Sequence, residues 1–145
     1  MATVEQLQQF LERLPAKIQE AAEVTLQQSA LKINADLMKV FKTEGQSHGV
    51  NWAPLKQRYR EEKIKKGFSE KILQRTTTLR QSFTARFAPM EAVIGTEVKY
   101  AIFHETGTRK MPARPFAKPV SETFQEEKIG TKIFVKVFDE VLKSV

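Results

Sequence analysis

An unbroken apolar stripe between Pro15 and about Lys42 constrains the fold of this chain more than any other feature of its sequence. No glycine or proline interrupts the stripe. Its apolar residues recur at intervals of three or four: Ile18, Ala22, Leu26, Ala30, Ile33, Leu37 and Phe41. This spacing predicts one amphipathic helix, about 40 Å long at a rise of ~1.5 Å per residue. Such a helix either crosses the whole domain or protrudes toward a neighbour.

A shorter helix is predicted before it. Thr3 followed by Gln6 has the pattern of a capping box, in which each side chain bonds to the backbone of the other residue. Apolar residues then follow at helical spacing: Val4, Leu7, Phe10, Leu11 and Leu14. We expect Pro15 to end this helix or to begin the next one, because proline lacks the N–H that a helix interior needs.

The middle of the chain predicts a loop and two short helices. Residues 45–51 are rich in glycine and polar residues and read as a loop. A basic helix over about 54–66 follows, with Pro54 in its first turn and Gly67 after its end. A second helical piece is predicted over about 76–82, where threonines can cap it.

A β-hairpin is predicted next. Phe83, Ala85 and Phe87 alternate with polar residues, which indicates a strand with one buried face. Residues 89–91 form the turn, and the second strand covers residues 92–96. A short helix over 100–105 and an extended edge over 114–117 complete this region.

The chain ends in helices. One is predicted over residues 119–128, and the last one is predicted to be capped by Thr131 after Gly130. The order of elements predicts an α+β fold over residues 1–145, with long N-terminal helices and a C-terminal helix packed on a small antiparallel sheet. A two-stranded sheet is marginal alone, so the long helix must cover it or a neighbouring subunit must extend it.

Composition narrows the class of protein. The 145 residues suit one domain, and the absence of cysteine excludes disulfides and thiolate metal sites. No apolar run reaches the ~18 residues of a membrane span, and the N-terminus lacks a signal-peptide pattern. We therefore expect a protein of the cytosol, with no membrane partner.

Positive charge is concentrated in one segment. Residues 56–86 hold ten Lys or Arg and three acidic residues, an excess equal to the net charge of +7 of the whole chain. The predicted basic helix carries Lys56, Arg58, Arg60, Lys63, Lys65 and Lys66. A solvated surface is one interpretation, and a small nucleic-acid-binding module that uses residues 56–86 is the alternative. No helix-turn-helix or zinc-finger pattern supports specific recognition of nucleic acid.

The sequence contains no recognisable catalytic set. His104-Glu105 begins like a zinc motif, but position 108 is Thr instead of the second His. The only other histidine is His48, and neither a Gly-x-Ser-x-Gly elbow nor a phosphate-binding loop is present. We predict no enzyme activity, no cofactor and no metal site, with a small hydrolase using His104 as a weaker alternative.

An ordered set of short motifs carries a family resemblance. The set comprises Trp52-Ala53-Pro54-Leu55, the basic helix, Ile72-Leu73, Thr76 to Leu79 with Arg80 and Ser82, Val93-Ile94-Gly95-Thr96, Tyr100-Ala101, His104, Gly107 and Pro112-Ala113-Arg114-Pro115-Phe116. In this order and spacing, residues 52–116 resemble the phage virion morphogenesis family, which includes Mu-like G proteins and tail completion proteins.

The resemblance implies a structural role without catalysis. It implies that copies of the chain form a ring at the head-proximal end of a tail tube, or help to join tail to head. The implied partners are further copies of the chain and tail-tube or head–neck proteins. The implied location is the tail or neck of the virion, after synthesis in the cytoplasm of a bacterial host.

The same resemblance gives candidate assembly residues. They are Trp52, Pro54, Leu55, Tyr100, His104, Gly107, Pro112, Arg114, Pro115 and Phe116. The two prolines can hold an extended arm from which Arg114 pairs with a carboxylate and Phe116 fills an apolar pocket of a neighbour. The alternative is that Phe116 and Tyr100 belong to the core. For Trp52 we expect a core or loop-anchor role.

Overall fold

The computed structural model describes residues 2–74 and 77–144. It begins with helix α1 (Val4–Thr43) and a 3-10 turn (Gln46–His48). The elements that follow are α2 (Gln57–Lys65), α3 (Thr78–Gln81), β1 (Thr84–Ala88), β2 (Glu91–Gly95), α4 (Ala101–Thr106), α5 (Ala117–Glu126) and α6 (Ile129–Lys143). This architecture of long terminal helices and a small antiparallel sheet confirms the predicted α+β class.

The two predicted N-terminal helices are one helix. The capping box is present, since the Thr3 hydroxyl accepts from the Gln6 N–H and the Gln6 side chain accepts from the Thr3 N–H. The prediction that Pro15 separates two helices is wrong, because α1 runs through Pro15 for 40 residues. A proline removes a single backbone hydrogen bond and crowds one carbonyl. This disturbance is local, so the helical turns before and after Pro15 can still form one helix. At ~1.5 Å per residue, α1 is about 60 Å long.

Phe41, near the C-terminal end of α1, lies at the centre of the core and is fully buried. The Phe116 ring stacks on it at 5.3 Å, and the Trp52 and Phe83 rings approach it at 5.7 and 6.0 Å between centroids. Further core residues are Leu37, Val40, Ile72, Leu79, Ala101 and Val120. Aromatic pairs of this kind contribute about 0.5–1.5 kcal/mol beyond the burial of their surface. One aromatic cluster therefore joins four separate parts of the chain.

Helix α6 packs along α1, away from the aromatic cluster. Val137 of α6 and Ala21 of α1 are both buried, and the Phe134 and Phe138 rings stack at 5.6 Å. The predicted cap at Thr131 is wrong, because α6 already begins at Ile129. The backbone turns at Lys128, which has a left-handed φ of 52°, so the helix starts before the threonine.

The two strands pair as predicted, but their burial differs from the prediction. β1 and β2 are antiparallel, with Ala85 opposite Ile94 and Phe87 opposite Ala92. Every residue of β1 is exposed, so the prediction of a buried face on this strand is wrong. β2 lies closer to α1 than β1 does, and Ile94 of β2 packs against the core together with Phe83, just before β1.

Three further boundaries differ from the sequence-based expectations. The basic helix begins at Gln57, so Pro54 lies outside it. The predicted extended edge over 114–117 is wrong, because Phe116 is the N-cap of α5 and Ala117 begins that helix. The short helix predicted over 76–82 is observed as α3, and its predicted start at residue 76 lies outside the described residues.

No helix within residues 2–74 and 77–144 is both long enough and apolar enough to cross a membrane.

The position of Phe41 predicts a large effect of its removal. Phe41→Ala empties the centre of the aromatic cluster, so we expect the free energy of unfolding to fall by about 3–5 kcal/mol. Leu31→Ala is the matched control on the same helix, because Leu31 is 71% exposed. We expect the control to change stability by no more than ~0.5 kcal/mol. Urea denaturation followed by circular dichroism measures both, and equal losses would contradict this account of the core.

Candidate functional site

Residues 52–54 and residues 113–116, both singled out in the sequence, lie against each other in the folded chain. Trp52 is buried, and its Nε1–H donates to the Pro115 carbonyl at 2.8 Å. The indole thus belongs to the core and also anchors one segment to the other, as expected for Trp52. We call these two segments, together with residues 104–107, the motif junction.

Arg114 points into the motif junction. Its Nε donates to the Ala53 carbonyl at 2.9 Å, its Nη2 donates to the Pro54 carbonyl at 3.2 Å, and the side chain is buried. A planar guanidinium can serve two neighbouring acceptors at once. The Arg114 N–H also donates to the His104 carbonyl at 2.7 Å. The expectation of an extended arm that offers Arg114 to a neighbour's carboxylate is therefore corrected, because Arg114 binds its own chain.

Phe116 belongs to the core, which was the alternative to a role as an assembly contact. It is buried in the aromatic cluster of its own chain and does not fill a neighbour's pocket. Tyr100 does not belong to the core, because it is 45% exposed. Its ring meets the His104 ring edge-on at 5.8 Å. The chain enters α5 directly after Pro115, which turns Phe116 inward toward Phe41.

Glu105, which the sequence analysis did not select, holds the start of α5. Its Oε2 accepts from the N–H groups of Phe116 at 2.8 Å and Ala117 at 3.0 Å, and its Oε1 accepts from the N–H of Lys118 at 2.8 Å. The first N–H groups of a helix have no partner within the helix, and a negative charge there is favourable. No local pattern reveals this cap, because its acceptor belongs to another helix.

Gly107 permits the close approach of the two backbones in the motif junction. Its φ is 76°, and a Cβ at this position would lie 2.7 Å from the Ala113 nitrogen. Any other residue would be strained and would displace the segment before α5. Of the remaining candidates, Leu55 packs against the core, while Pro54 and Pro112 are exposed.

His104 lies at the edge of the motif junction, beside Arg114. It is half-buried, and its Nδ1 has no hydrogen-bond partner among the described residues. Burial lowers the pKa of His104 below its ordinary value, and the positive charge of Arg114 lowers it further. A carboxylate beside His104 would raise its pKa, but Glu105 is engaged with α5.

A cavity of about 250 Å³ lies beside His104 and Arg114, with Tyr59, Lys63 and Tyr100 among its lining residues. Its lining contains no carboxylate within the described parts of the chain. Nor do residues 2–74 and 77–144 bring together three side chains that could hold a metal ion. The motif junction therefore directs its polar groups mainly to backbone atoms.

The predicted basic surface has fewer exposed positive charges without an ion pair than the sequence indicates. Lys63 is buried: its Nζ donates to the Lys71 carbonyl at 3.0 Å and lies 5.7 Å from the Tyr59 ring centroid. This corrects the prediction that Lys63 lies on the surface. Arg60 pairs with Glu70 at 3.5 Å, and Lys66 pairs with Glu62 at 2.7 Å. The exposed members without an ion pair to another described residue are Lys56, Arg58 and Lys65.

Comparison with known proteins covers almost the whole chain. The profile of the phage virion morphogenesis family matches residues 2–131. This chain belongs to that family. The match extends the resemblance seen over residues 52–116 to include α1 and α5.

A curated relative agrees with the family assignment. The Mu-like prophage FluMu G protein 1 of Haemophilus influenzae is 30% identical over 112 residues, which cover 76% of this chain and 75% of the relative. No solved structure matches. The chain is thus a phage morphogenesis protein, and the motif junction shows how motifs from distant parts of this family member meet.

The Glu105 cap predicts a loss of stability when its carboxylate is removed. Glu105→Ala leaves three N–H groups of α5 without their acceptor, so we expect unfolding to become easier by about 0.5–2 kcal/mol. Glu126→Ala is the matched control, because Glu126 is an exposed glutamate at the other end of the same helix. Urea denaturation measures both variants. A Glu105→Ala protein as stable as the control would refute the capping role.

The environment of His104 predicts a pH dependence of stability. Because the folded pKa lies below that of the unfolded chain, the unfolded chain binds the proton more readily. The contribution of His104 is complete above a pH of about 6.5 and is lost as the pH falls through the folded pKa. We expect His104→Gln to flatten the pH dependence of the urea midpoint between pH 8 and 5. His48→Gln is the control, and an equal flattening by it would argue against His104.

Proposed function

We propose that this chain acts in tail completion or head–tail joining, as a subunit of a ring formed from copies of itself. The observation that carries this proposal is apolar surface that the chain does not cover. Every residue from 2 to 13 is exposed, although Val4, Leu7 and Leu11 form an apolar stripe on α1. Contiguous apolar surface of this kind marks a site of protein association.

A second uncovered site is the outer edge of the hairpin, where exposed apolar side chains lie on both faces of the two strands. Phe87, Met90 and Val93 are each more than half exposed, and the outer edge of β1 has no partner strand among the described residues. Exposed strand edges readily pair or pack with another chain. Two different surfaces on one chain favour head-to-tail contacts, which produce a ring when the rotation between copies closes.

The family assignment supports the phage context of this proposal. The relative carries the name of a Mu-like prophage G protein, and the matching profile is that of virion morphogenesis. The family resemblance implies a ring in either role. We therefore place this chain at the tail or neck of the virion, after synthesis in the cytoplasm of the host, with tail-tube or neck proteins as partners.

We further propose that the chain is not an enzyme. The motif junction supports this view, since Arg114 is bound to two carbonyls and Glu105 to the start of α5. His104 then lacks the orienting carboxylate that a catalytic histidine commonly uses. Arg114 and Glu105 thus stabilise the fold that presents the uncovered surfaces.

Deletion of the gene from its phage tests this function. We expect electron microscopy of lysates to show heads and tails that fail to join, or tails of abnormal length, because the terminal ring is missing. Wild-type protein supplied from a plasmid is the control and should restore infectious particles. Intact, infectious virions without the gene would overturn the proposal.

The oligomeric state of the purified chain provides a second measurement. Analytical ultracentrifugation over a range of concentrations should show a shift from monomer to one closed oligomer. A chain that stays monomeric at high concentration, both alone and with tail tubes of its phage, would count against ring formation.

A further inference from the structure

An open apolar groove of about 520 Å³ crosses the middle of α1, between the hairpin and α5. Leu26 and Ile33 of α1 form its floor, Ala92 and Ile94 of β2 lie on one side, and Phe124 of α5 lies on the other. All five side chains are only half-buried in the single chain. The groove is therefore a surface that can accept apolar side chains from outside.

The N-terminal segment of α1, residues 4–14, has the complementary form. Its apolar residues Val4, Leu7, Leu11 and Leu14 recur at helical spacing on one face, as in helices that bind grooves. Residues 4–13 are exposed on all faces. Since α1 is continuous, this segment cannot reach the groove of its own chain without breaking the helix.

We propose that residues 4–14 of one copy lie in the groove of the next copy. This inference rests on the proposed ring and names the two surfaces that form its contact. Each copy carries one segment and one groove, so every contact is head-to-tail and leaves both ends available for further copies. The series ends only when the first groove receives the last segment, which is the condition for a closed ring.

The rim of the groove carries charges of both signs. Glu23 and Glu91 line a smaller cavity that adjoins the groove near the hairpin turn. Lys128 and Lys132 are exposed near the start of α6, where the groove ends at that helix. None of these four side chains forms an ion pair with another described residue.

The charges of the segment lie on the face opposite its apolar residues. Glu5 lies near its N-terminal end and Arg13 near its C-terminal end, about 12 Å apart along the helix. Neither residue forms an ion pair with another described residue. Both are four residues from Gln9 and share its face, so they point away from a groove that receives the apolar side chains, and the apolar residues alone make the contact.

Disulfide cross-linking tests the contact directly, because the natural chain contains no cysteine. One preparation carries Leu7→Cys on the segment, and a second carries Ala92→Cys on the groove. The two are mixed and oxidised, and the products are separated on a non-reducing gel. A disulfide requires Cβ atoms roughly 3.5–4.5 Å apart, so only a close contact between copies gives product. Gln9→Cys replaces Leu7→Cys in the control, because Gln9 lies on the opposite face of the helix.

We expect a disulfide-linked heterodimer as the main product of the Leu7→Cys and Ala92→Cys mixture, and only background with Gln9→Cys. A chain that carries both cysteines should give a ladder of linked copies. Three results would overturn the inference: no cross-link above background, Leu7→Cys homodimers alone, or a doubly substituted chain that links only within itself. The second result would mean that the segment pairs with itself, and the third that it folds back.

Ultracentrifugation of the unmodified chain separates this inference from the proposed function. If the chain forms an oligomer but the groove does not cross-link, the ring remains and the assigned contact is wrong. If the chain neither oligomerises nor cross-links, both proposals fail. Leu7→Glu with Leu11→Glu should abolish the oligomer while helical content is retained, and Gln9→Glu should leave it intact.

Discussion

The aromatic cluster around Phe41 is the contact on which the rest of this structure depends. Its rings come from the end of α1, the loop before α2, the approach to β1 and the start of α5. The hydrogen bond from Trp52 to the Pro115 carbonyl closes the cluster on one side. Burial of these rings gives the driving force, and the hydrogen bond from Trp52 helps to fix which segments meet. The short helices and the hairpin then take positions around an end of α1 that is already covered.

The motif junction shows how a set of weak sequence motifs can serve one structural purpose. Arg114 and Glu105 bind backbone groups that would otherwise lack hydrogen-bond partners. Arg114 binds two carbonyls of the motif junction, and Glu105 binds the first N–H groups of α5. Gly107 allows the two backbones to approach. Residues of these types often indicate catalysis when their surroundings are unknown. Here their partners indicate support of the fold.

Burial is distributed unevenly along α1, and this unevenness connects the fold with the proposed assembly. The C-terminal end of the helix is enclosed, its middle forms the floor of an open groove, and residues 2–13 are exposed. The same helix therefore carries an apolar segment near its N-terminus and forms the floor of an apolar groove at its middle.

The sequence by itself determined the helical character of α1, its capping box, the pairing of the hairpin strands and the family, since each rests on local spacing or on ordered motifs. Only the tertiary structure decided that α1 continues through Pro15, that β1 is exposed, and that Arg114 turns inward. It also revealed the role of Glu105, whose carboxylate is on α4 while the N–H groups that it binds lie at the start of α5. Local patterns fix which face of an element is apolar, whereas the partner of a buried charge or ring depends on residues that are distant in sequence and adjacent only after folding.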